Sequence, residues 1–152
     1  MVSSLRLLMI EDSALDADIL CKFLNYNDIA TSSERVESAE DLKAILPTSE
    51  WDVILCDYHI HPTFTCHDAL AIVQEFNAAR QQRGVYPVPV IVVSSVINES
   101  KIVELMKQGA SDFVIKGYFD RLLPVLEREL NHVARARTYE RVIKELQSVR
   151  IP

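Results

Sequence analysis

The chain has 152 residues, 49% of them hydrophobic and 25% charged, which is the composition of one ordinary globular domain. Its net charge of −6 argues against direct binding of nucleic acid, because nucleic-acid-binding domains usually carry a basic patch. No apolar run approaches the ~18 residues of a membrane span and the N-terminus lacks a signal-peptide pattern, so we expect no membrane association and a cytoplasmic location.

Short apolar runs alternate with segments of helical period, which predicts βαβ units around a parallel sheet. The first half of the chain predicts a strand at Leu5–Ile10, a helix from Ser13 to Leu24, an edge strand at Ala30–Val36 and a helix from Ser38 to Leu46. In the first helix, Leu15, Ile19 and Phe23 recur every four residues and predict its apolar face.

The second half continues the alternation. It predicts a strand at Val53–Cys56, a helix from His67 to Arg80, a strand at Val90–Val93, a helix from Ser100 to Gln108 and a strand at Phe113–Ile115. Ser100 is the expected N-cap of its helix, and Gly109 is expected to end that helix in the left-handed conformation. The whole pattern indicates an α/β fold with a five-stranded parallel sheet and five helices.

The last helix is predicted to run from Asp120 to Val149. Its first half can pack on the sheet through Leu122, Leu126, Leu130 and Val133. Its second half carries apolar residues at spacings of three, four and three, typical of a coiled-coil seam: Tyr139, Val142, Leu146 and Val149. We therefore expect a domain at 1–130 and a helical extension at 131–152 that serves as a coiled-coil linker or dimerisation tail, with a frayed tail as the alternative. Because nothing within the chain covers this stripe, we also expect a longer protein to continue beyond it.

Four of the predicted strands end on polar residues. Glu11 and Asp12 follow the first strand, Asp57 follows the third, Ser94 the fourth and Lys116 the fifth. The carboxyl ends of parallel strands lie along one edge of a sheet, so these side chains are expected to meet there. Three carboxylates suit Mg²⁺, and a carboxylate can also attack phosphorus. An ammonium and a hydroxyl can balance the charge of a phosphoryl group, although each residue alone would more simply be a turn former, a cap or a solvated strand end.

At these residues the chain resembles the receiver domain of two-component response regulators, the CheY-like superfamily. The resemblance lies in four segments that stand in the family's order and together span residues 5–130: LLMIEDS (Leu7–Ser13), WDVILCDY (Trp51–Tyr58), PVIVVSS (Pro89–Ser95) and GASDFVIKG (Gly109–Gly117). It implies a flavodoxin-like, doubly wound sheet with the strand order 2-1-3-4-5.

The resemblance also implies a role for each residue. Asp57 would accept a phosphoryl group from a histidine kinase or a histidine phosphotransfer protein. Mg²⁺ would be held by Glu11, Asp12, Asp57 and the backbone carbonyl of His59. Ser94 and Lys116 would contact the phosphoryl group. Ser94 and Phe113 would act as the switch, with plain core packing on the fifth strand as the alternative for Phe113. His59 and Val96 would tune the phosphoryl lifetime.

The resemblance also implies how the domain would pass on its signal. Phosphorylation would alter the surface made by the fourth helix, the fifth strand and the fifth helix, and a homodimer could form there or through the C-terminal helix. We expect no enzymatic turnover from this chain itself. The alternatives are a receiver-fold module that only docks or dimerises, a flavodoxin-type FMN carrier and an aspartate-nucleophile phosphatase. The acid pair would repel a flavin phosphate, and His59 stands where such phosphatases usually carry a second acid.

The chain departs from the family pattern at two places. Gly117 follows the lysine where the family usually has proline, so we expect a trans peptide bond there. After Asp57, Pro62 comes one residue later than usual and Cys66 replaces a glycine, which puts the metal geometry in question.

The same loop raises a second possible ion. It holds His59, His61, Cys66 and His67 within nine residues, which makes a zinc site an alternative, although the spacing matches no common zinc pattern. Cys66 is one of three cysteines in the chain, with Cys21 and Cys56, and we expect all three to stay reduced.

Overall fold

Five parallel strands form one sheet in the order β2-β1-β3-β4-β5, as predicted. The computed structural model describes residues 4–95 and 98–148, so Val96 and Val149 of the predictions above lie outside the described residues. The strands are β1 (Ser4–Ile10), β2 (Ala30–Val36), β3 (Val53–Asp57), β4 (Val90–Ser94) and β5 (Asp112–Ile115). The helices are α1 (Ala14–Tyr26), α2 (Ala39–Ile45), α3 (Cys66–Gln82), α4 (Glu99–Lys107) and α5 (Leu122–Ser148).

Strand β3 lies in the centre of the sheet, and all five of its residues are buried. It pairs with β1 from Leu7↔Val53 to Ile10↔Cys56, and with β4 from Ile54↔Val90 to Asp57↔Val93. A continuous apolar strand suits this place, because helices cover both faces of the sheet. The register therefore brings Asp57 to the carboxyl edge, beside the end of β1.

Side-chain caps set the start of each of the first four helices. Ser13 and Ser38 cap α1 and α2, whereas Thr65 and Asp68 form a reciprocal capping box at the start of α3. The predicted cap at Ser100 is wrong. The side chain of Asn98 accepts hydrogen bonds from both the backbone and the hydroxyl of Ser100, so α4 begins at Glu99.

The two faces of the sheet bury separate apolar clusters. One cluster packs under α2, α3 and α4, and the other packs under α1 and α5. The predicted apolar face of α1 is wrong, since Leu15 is 68% and Ile19 is 47% exposed. The helix instead buries a neighbouring stripe, which consists of Ala17, Leu20 and Leu24.

Helix α5 extends beyond the sheet that it covers. Its first half buries Leu122, Leu126 and Val133 and half-buries Leu130, as predicted. A 3-10 turn at Phe119–Arg121 precedes it, so the regular helix begins two residues later than expected. Among the described residues, no helix is long and apolar enough to cross a membrane.

Candidate functional site

Three carboxylates meet at the carboxyl edge of the sheet, as the order of the strands predicts. Oxygen atoms of Glu11, Asp12 and Asp57 all lie within 4.8 Å of one another. Glu11 and Asp57 are buried, whereas Asp12 is exposed at the mouth. Hard oxygen donors of this kind are the ligands that Mg²⁺ prefers, and an exposed member leaves the ion a route from solvent. The donor set therefore fits a magnesium ion.

The ionisation of Glu11 is strongly altered by its surroundings. The pKa of its carboxyl is raised to about 7, chiefly by burial, and the nearby charge of Asp57 contributes to the rise. The backbone N–H of Ser13, 3.1 Å from Glu11 Oε1, and the ammonium of Lys116 act in the opposite direction. A buried acid beside a second acid is costly to ionise, and a bound dication would remove much of that cost.

Lys116 reaches these acids from the end of β5. Its Nζ lies 3.4 Å from Asp57 Oδ2 and 3.4 Å from Glu11 Oε2. Its shortest contact, at 2.6 Å, is to Oδ2 of Asp16 in the first turn of α1. Burial alone would lower the pKa of Lys116, but the hydrogen bond to Asp16 and the charges of Asp57 and Glu11 raise it above its usual value. The lysine is therefore a fixed cation beside Asp57.

Asp16 is the one member of this network that the sequence analysis missed. A signal for it was available: Ser13 caps α1 by accepting from the backbone N–H of Asp16, and an acid three residues after a serine cap is a familiar helix-start pattern. That pattern predicts a helix terminus only. The contact to Lys116 depends on α1 and β5 being brought together across the sheet edge.

Ser94 ends β4 next to Lys116. The backbone carbonyl of Ser94 accepts a hydrogen bond of 2.8 Å from the backbone N–H of Lys116, and the Ser94 side chain is buried. The same edge holds the backbone of Tyr58, which donates to the carbonyl of Val93 at 2.9 Å. These bonds place Ser94 at the end of β4, the strand between β3, which ends at Asp57, and β5, which Lys116 follows.

The loop after Asp57 forms a small hairpin. The backbones of His61 and Phe64 exchange two hydrogen bonds of 3.2 Å, so Pro62 and the residue after it form the turn, and Phe64 is buried. The backbone N–H of His59 donates to Asp57 Oδ1 at 3.3 Å, while its side chain is exposed. The backbone next to Asp57 is thus in contact with its carboxylate.

The zinc alternative is wrong on this geometry. Within the described ranges, the acidic trio is the one group of three candidate ligands close enough to share an ion. His61 bonds Thr63, and His67 lies 2.6 Å from the Gln108 side chain. Cys66 is buried with its sulfur 3.7 Å from that of Cys56, and all three cysteines are unpaired thiols, as predicted.

Phe113 lies on β5, half-buried against the cluster under α3 and α4. The guanidinium of Arg121 stacks over its ring at 4.9 Å and also donates to its backbone carbonyl. Nearby, α4 and β5 expose several apolar side chains: Val103, Met106 and Ile115. The peptide bond between Lys116 and Gly117 is trans, as predicted, since no described residue has a cis peptide bond.

Comparison with known proteins agrees with this architecture. The sequence profile of the response regulator receiver domain matches residues 7–127. The two-component response regulator ORR6 of Oryza sativa subsp. japonica is 25% identical over 115 residues, which cover 75% of this chain and 64% of that protein. The matched region therefore spans slightly less than two thirds of that relative.

Solved receiver domains share the fold at low sequence identity. The receiver domain of the sensor histidine kinase PA1611 from Pseudomonas aeruginosa, solved with a magnesium ion in its active-site cleft, superposes with a TM-score of 0.66 at 17% identity, covering 84% of this chain and 98% of that one. The receiver domain of Ssk1 from Saccharomyces cerevisiae, solved with the histidine phosphotransfer protein Ypd1, gives 0.64 at 17% identity, covering 82% and 86%.

Proposed function

This chain belongs to the response regulator receiver domain family, and on that premise we propose that Asp57 is phosphorylated by a histidine kinase or a histidine phosphotransfer protein. The observation that carries the proposal is the site itself. Asp57 is buried between two further carboxylates on one side and an ammonium 3.4 Å away on the other. A carboxylate so placed can attack phosphorus while neighbouring charges are compensated.

In the proposed transfer, one Asp57 oxygen forms a bond to phosphorus as the phosphorus–nitrogen bond of the phosphohistidine breaks. The imidazole leaves and takes up a proton. Glu11, Asp12, Asp57 and the backbone carbonyl of His59 would hold Mg²⁺, which when bound neutralises phosphoryl oxygens. Lys116 would exchange part of its present contact with Asp57 for one with the phosphoryl group, and the Ser94 hydroxyl would donate to another of its oxygens.

A docking surface for the phosphodonor protein adjoins this site. Leu15 and Ile19 expose their side chains on α1, and Leu15 stands next to Asp16, which contacts Lys116. Exposed apolar side chains beside a reaction centre suit a partner that must bring a phosphohistidine to it. We propose that this face of α1 receives the histidine-bearing partner.

The proposed conformational switch involves Ser94 and Phe113. We propose that phosphorylation draws Ser94 toward the phosphoryl group and lets Phe113 turn inward, which changes the surface of α4, β5 and α5. The exposed Val103, Met106 and Ile115 make that surface suitable for a homodimer or for another protein. His59 and Val96 would tune the phosphoryl lifetime.

The remaining elements of the proposal concern the chain as a whole. Residues 1–130 would form the receiver domain and residues 131–152 an extension of its last helix. The protein would work in the cytoplasm as a signalling domain without turnover of its own, and any catalytic output would belong to another part of a longer protein. Neither nucleic acid nor a membrane would be a direct partner.

Phosphorylation can be tested directly on the purified chain. Incubation with acetyl phosphate and Mg²⁺ should add 80 Da to the intact mass by formation of one aspartyl phosphate. Asp57→Asn should abolish the adduct, whereas the matched change Asp52→Asn, at the opposite end of β3, should leave it intact. Without an adduct on the wild-type chain, or with one that survives Asp57→Asn, the proposal fails and a docking or dimerisation module without phosphorylation becomes the better account.

A further inference from the structure

The turn between α3 and β4 and the lower half of α5 line a groove of about 1040 Å³. The groove lies at the amino edge of the sheet, because residues 83–87 stand shortly before the start of β4. The acid trio of Glu11, Asp12 and Asp57 lies at the opposite, carboxyl edge. A groove of this volume suits an organic ligand better than a simple inorganic ion.

Hydrogen bonds fix the turn that forms one wall of the groove. Arg80, which is 5% exposed, donates to the backbone carbonyl of Tyr86 from Nε at 3.3 Å and from Nη2 at 3.2 Å. Asn77 exchanges two hydrogen bonds with the backbone of Val88, at 2.9 and 3.0 Å. Because this wall is preformed, a ligand would bind it with little loss of backbone freedom.

Helix α5 forms the other wall and is held against the turn. The Glu140 carboxylate accepts a 3.0 Å hydrogen bond from the backbone N–H of Tyr86. Arg137 lies 3.6 Å from Asp52, which comes just before β3. Ile143, nearly one helical turn beyond Glu140, lines the groove and is half-buried. The two walls are therefore joined to each other as well as to the sheet.

The charge of the groove is opposite in sign to the net charge of the chain, which is −6. One acidic side chain, that of Glu140, lines the groove together with four basic ones: Arg83, Arg137, Arg141 and Lys144. The three basic residues on α5 are spaced four and three residues apart, so they share one side of the helix. Within the described ranges, no ion pair involves Arg83, Arg141 or Lys144. The groove therefore favours a ligand with several negative charges.

Each wall of the groove also carries a tyrosine. Tyr86 is half-buried on the turn, and Tyr139 on α5 is 69% exposed. The apolar side chains of Val85, Pro87 and Ile143 line the groove as well. Aromatic rings and guanidinium groups stack on the flat faces of nucleobases, and basic side chains bind phosphate. The combination matches a ligand that joins a flat ring to a chain of phosphates.

We propose that this groove is a binding site for a nucleoside polyphosphate. The base would lie between Tyr86 and Tyr139, and the phosphates would pair with the three basic side chains that have no ion pair, Arg83, Arg141 and Lys144. An inorganic polyphosphate would use the cations alone, and a nucleoside would use the rings alone. A bound nucleotide would bridge the turn and α5, and it would thereby stabilise the lower half of the helix.

Isothermal titration calorimetry of the full chain with ATP and with GTP tests the site. Buffer freed of divalent ions prevents binding through a metal ion at the acid trio. At least one nucleotide should bind with a dissociation constant below about 100 µM. The corresponding nucleoside, which lacks phosphates, and tripolyphosphate, which lacks a base, should each bind at least tenfold more weakly. Dissociation constants above about 100 µM for both nucleotides, or tripolyphosphate binding as tight as that of the nucleotide, would overturn the proposal.

Two arginine substitutions separate binding in the groove from general attraction by positive charge. Arg141→Gln should weaken nucleotide binding at least fivefold. Arg135→Gln removes the same charge from an exposed position of α5 outside the groove and should leave the dissociation constant within twofold of wild type. Equal effects of the two substitutions would overturn the proposal. Circular dichroism of both variants checks that folding is retained.

The proposed place of the base needs its own variant. Tyr86→Leu should weaken nucleotide binding at least fivefold, and the fold should tolerate it because the hydrogen bonds that fix the turn use the backbone of Tyr86. An unchanged affinity of this variant would refute the proposed site. Asp57→Asn should bind the nucleotide as wild type does, since Asp57 lies at the opposite edge of the sheet. Loss of binding in Asp57→Asn would place the nucleotide at the acid trio and likewise overturn the proposal.

Discussion

Lys116 is bound more closely to Asp16 than to Asp57: its Nζ lies 2.6 Å from Asp16 Oδ2 and 3.4 Å from Asp57 Oδ2. The lysine that would contact the phosphoryl group under the proposed function is therefore already engaged by an acid on α1. To act on the phosphoryl group, it must give up part of a charge-assisted hydrogen bond. Asp16 accordingly sets how readily the lysine is available.

Replacing Asp16 by asparagine should speed phosphorylation of Asp57. The lost ion pair is partly exposed, so we expect a gain of about 1 kcal/mol, or roughly fivefold in the rate with acetyl phosphate. Intact-mass time courses at fixed Mg²⁺ give the rate. Asp18→Asn is the matched control, since Asp18 lies on the same helix and pairs with Lys22 at 3.0 Å, away from the site. A slower Asp16→Asn variant would mean that Asp16 positions Lys116 rather than restraining it.

Mg²⁺ affinity should depend on pH through Glu11. The pKa of Glu11 is raised to about 7 in the folded chain against 4.5 ordinarily, chiefly by burial, so below pH 7 a proton must leave before this carboxylate can bind the ion. The association constant should fall about tenfold per pH unit below 7 and level off above it. Isothermal titration calorimetry at pH 6, 7 and 8 measures both affinity and proton release. Glu11→Gln should bind more weakly without this dependence.

The same raised pKa predicts the stability of the metal-free chain. A folded state that holds the Glu11 proton more tightly than the unfolded state loses stability as pH rises from 4.5 past about 7. Urea unfolding in the presence of a chelator, followed by the fluorescence of the buried Trp51, should show this decline. Excess Mg²⁺ should reverse it at pH 8. A metal-free chain equally stable at pH 5.5 and pH 8 would contradict the burial of an ionisable Glu11.

Asp112 should stabilise the fold above acidic pH. Burial would raise the pKa of its carboxyl, but hydrogen bonds from the Phe113 backbone, Arg128 and Arg121 outweigh burial and lower it below 3.8. Its contribution is therefore present above pH 3.8 and is lost as pH falls through the lower folded pKa. Asp112→Asn should cost about 1–3 kcal/mol at pH 7 and progressively less below pH 4. Asp120→Asn, at an exposed position, is the control in the same urea titrations.

Gly109 should tolerate a side chain less well than Gly84. Both have positive φ, at +109° and +76°, so alanine strains either backbone. A Cβ at Gly109 would also lie 1.6 Å from Gln74 Nε2, whereas a Cβ at Gly84 would meet no atom within 4 Å. We expect Gly84→Ala to lower the free energy of unfolding by about 1 kcal/mol and Gly109→Ala by about 2–3 kcal/mol. Equal losses in thermal or urea unfolding would show that Gln74 moves aside freely.

The cysteines should differ in reactivity. A hydrogen bond with Cys66, together with burial, raises the pKa of the Cys56 thiol well above its usual value, and Cys66 is buried as well. Iodoacetamide at pH 7.5 should therefore label only the half-buried Cys21 of the native chain and all three thiols after unfolding. Peptide mass mapping gives the labelled positions. Rapid native labelling of Cys66 would instead indicate that the loop after Asp57 opens readily.

Much of the fold was predictable because apolar periodicity reflects burial. The first four residues of β3 are all apolar, and the strand lies in the centre of the sheet with helices on both faces. Polar residues at strand ends were equally informative, since parallel strands bring those ends to one edge. The meeting of Glu11, Asp12 and Asp57, with Lys116 beside them, follows from that order alone.

Other features depended on contacts between distant segments. Helix α1 offers two apolar stripes, and only packing against the sheet and α5 decides that Leu20 is buried and Leu15 is exposed. Asn98 and Ser100 can each cap a helix, and the choice depends on the backbone leaving β4. The bond from Asp16 to Lys116 joins residues a hundred positions apart. Local sequence determines which groups are available to bury or to pair, whereas the three-dimensional path of the chain determines which partners they meet.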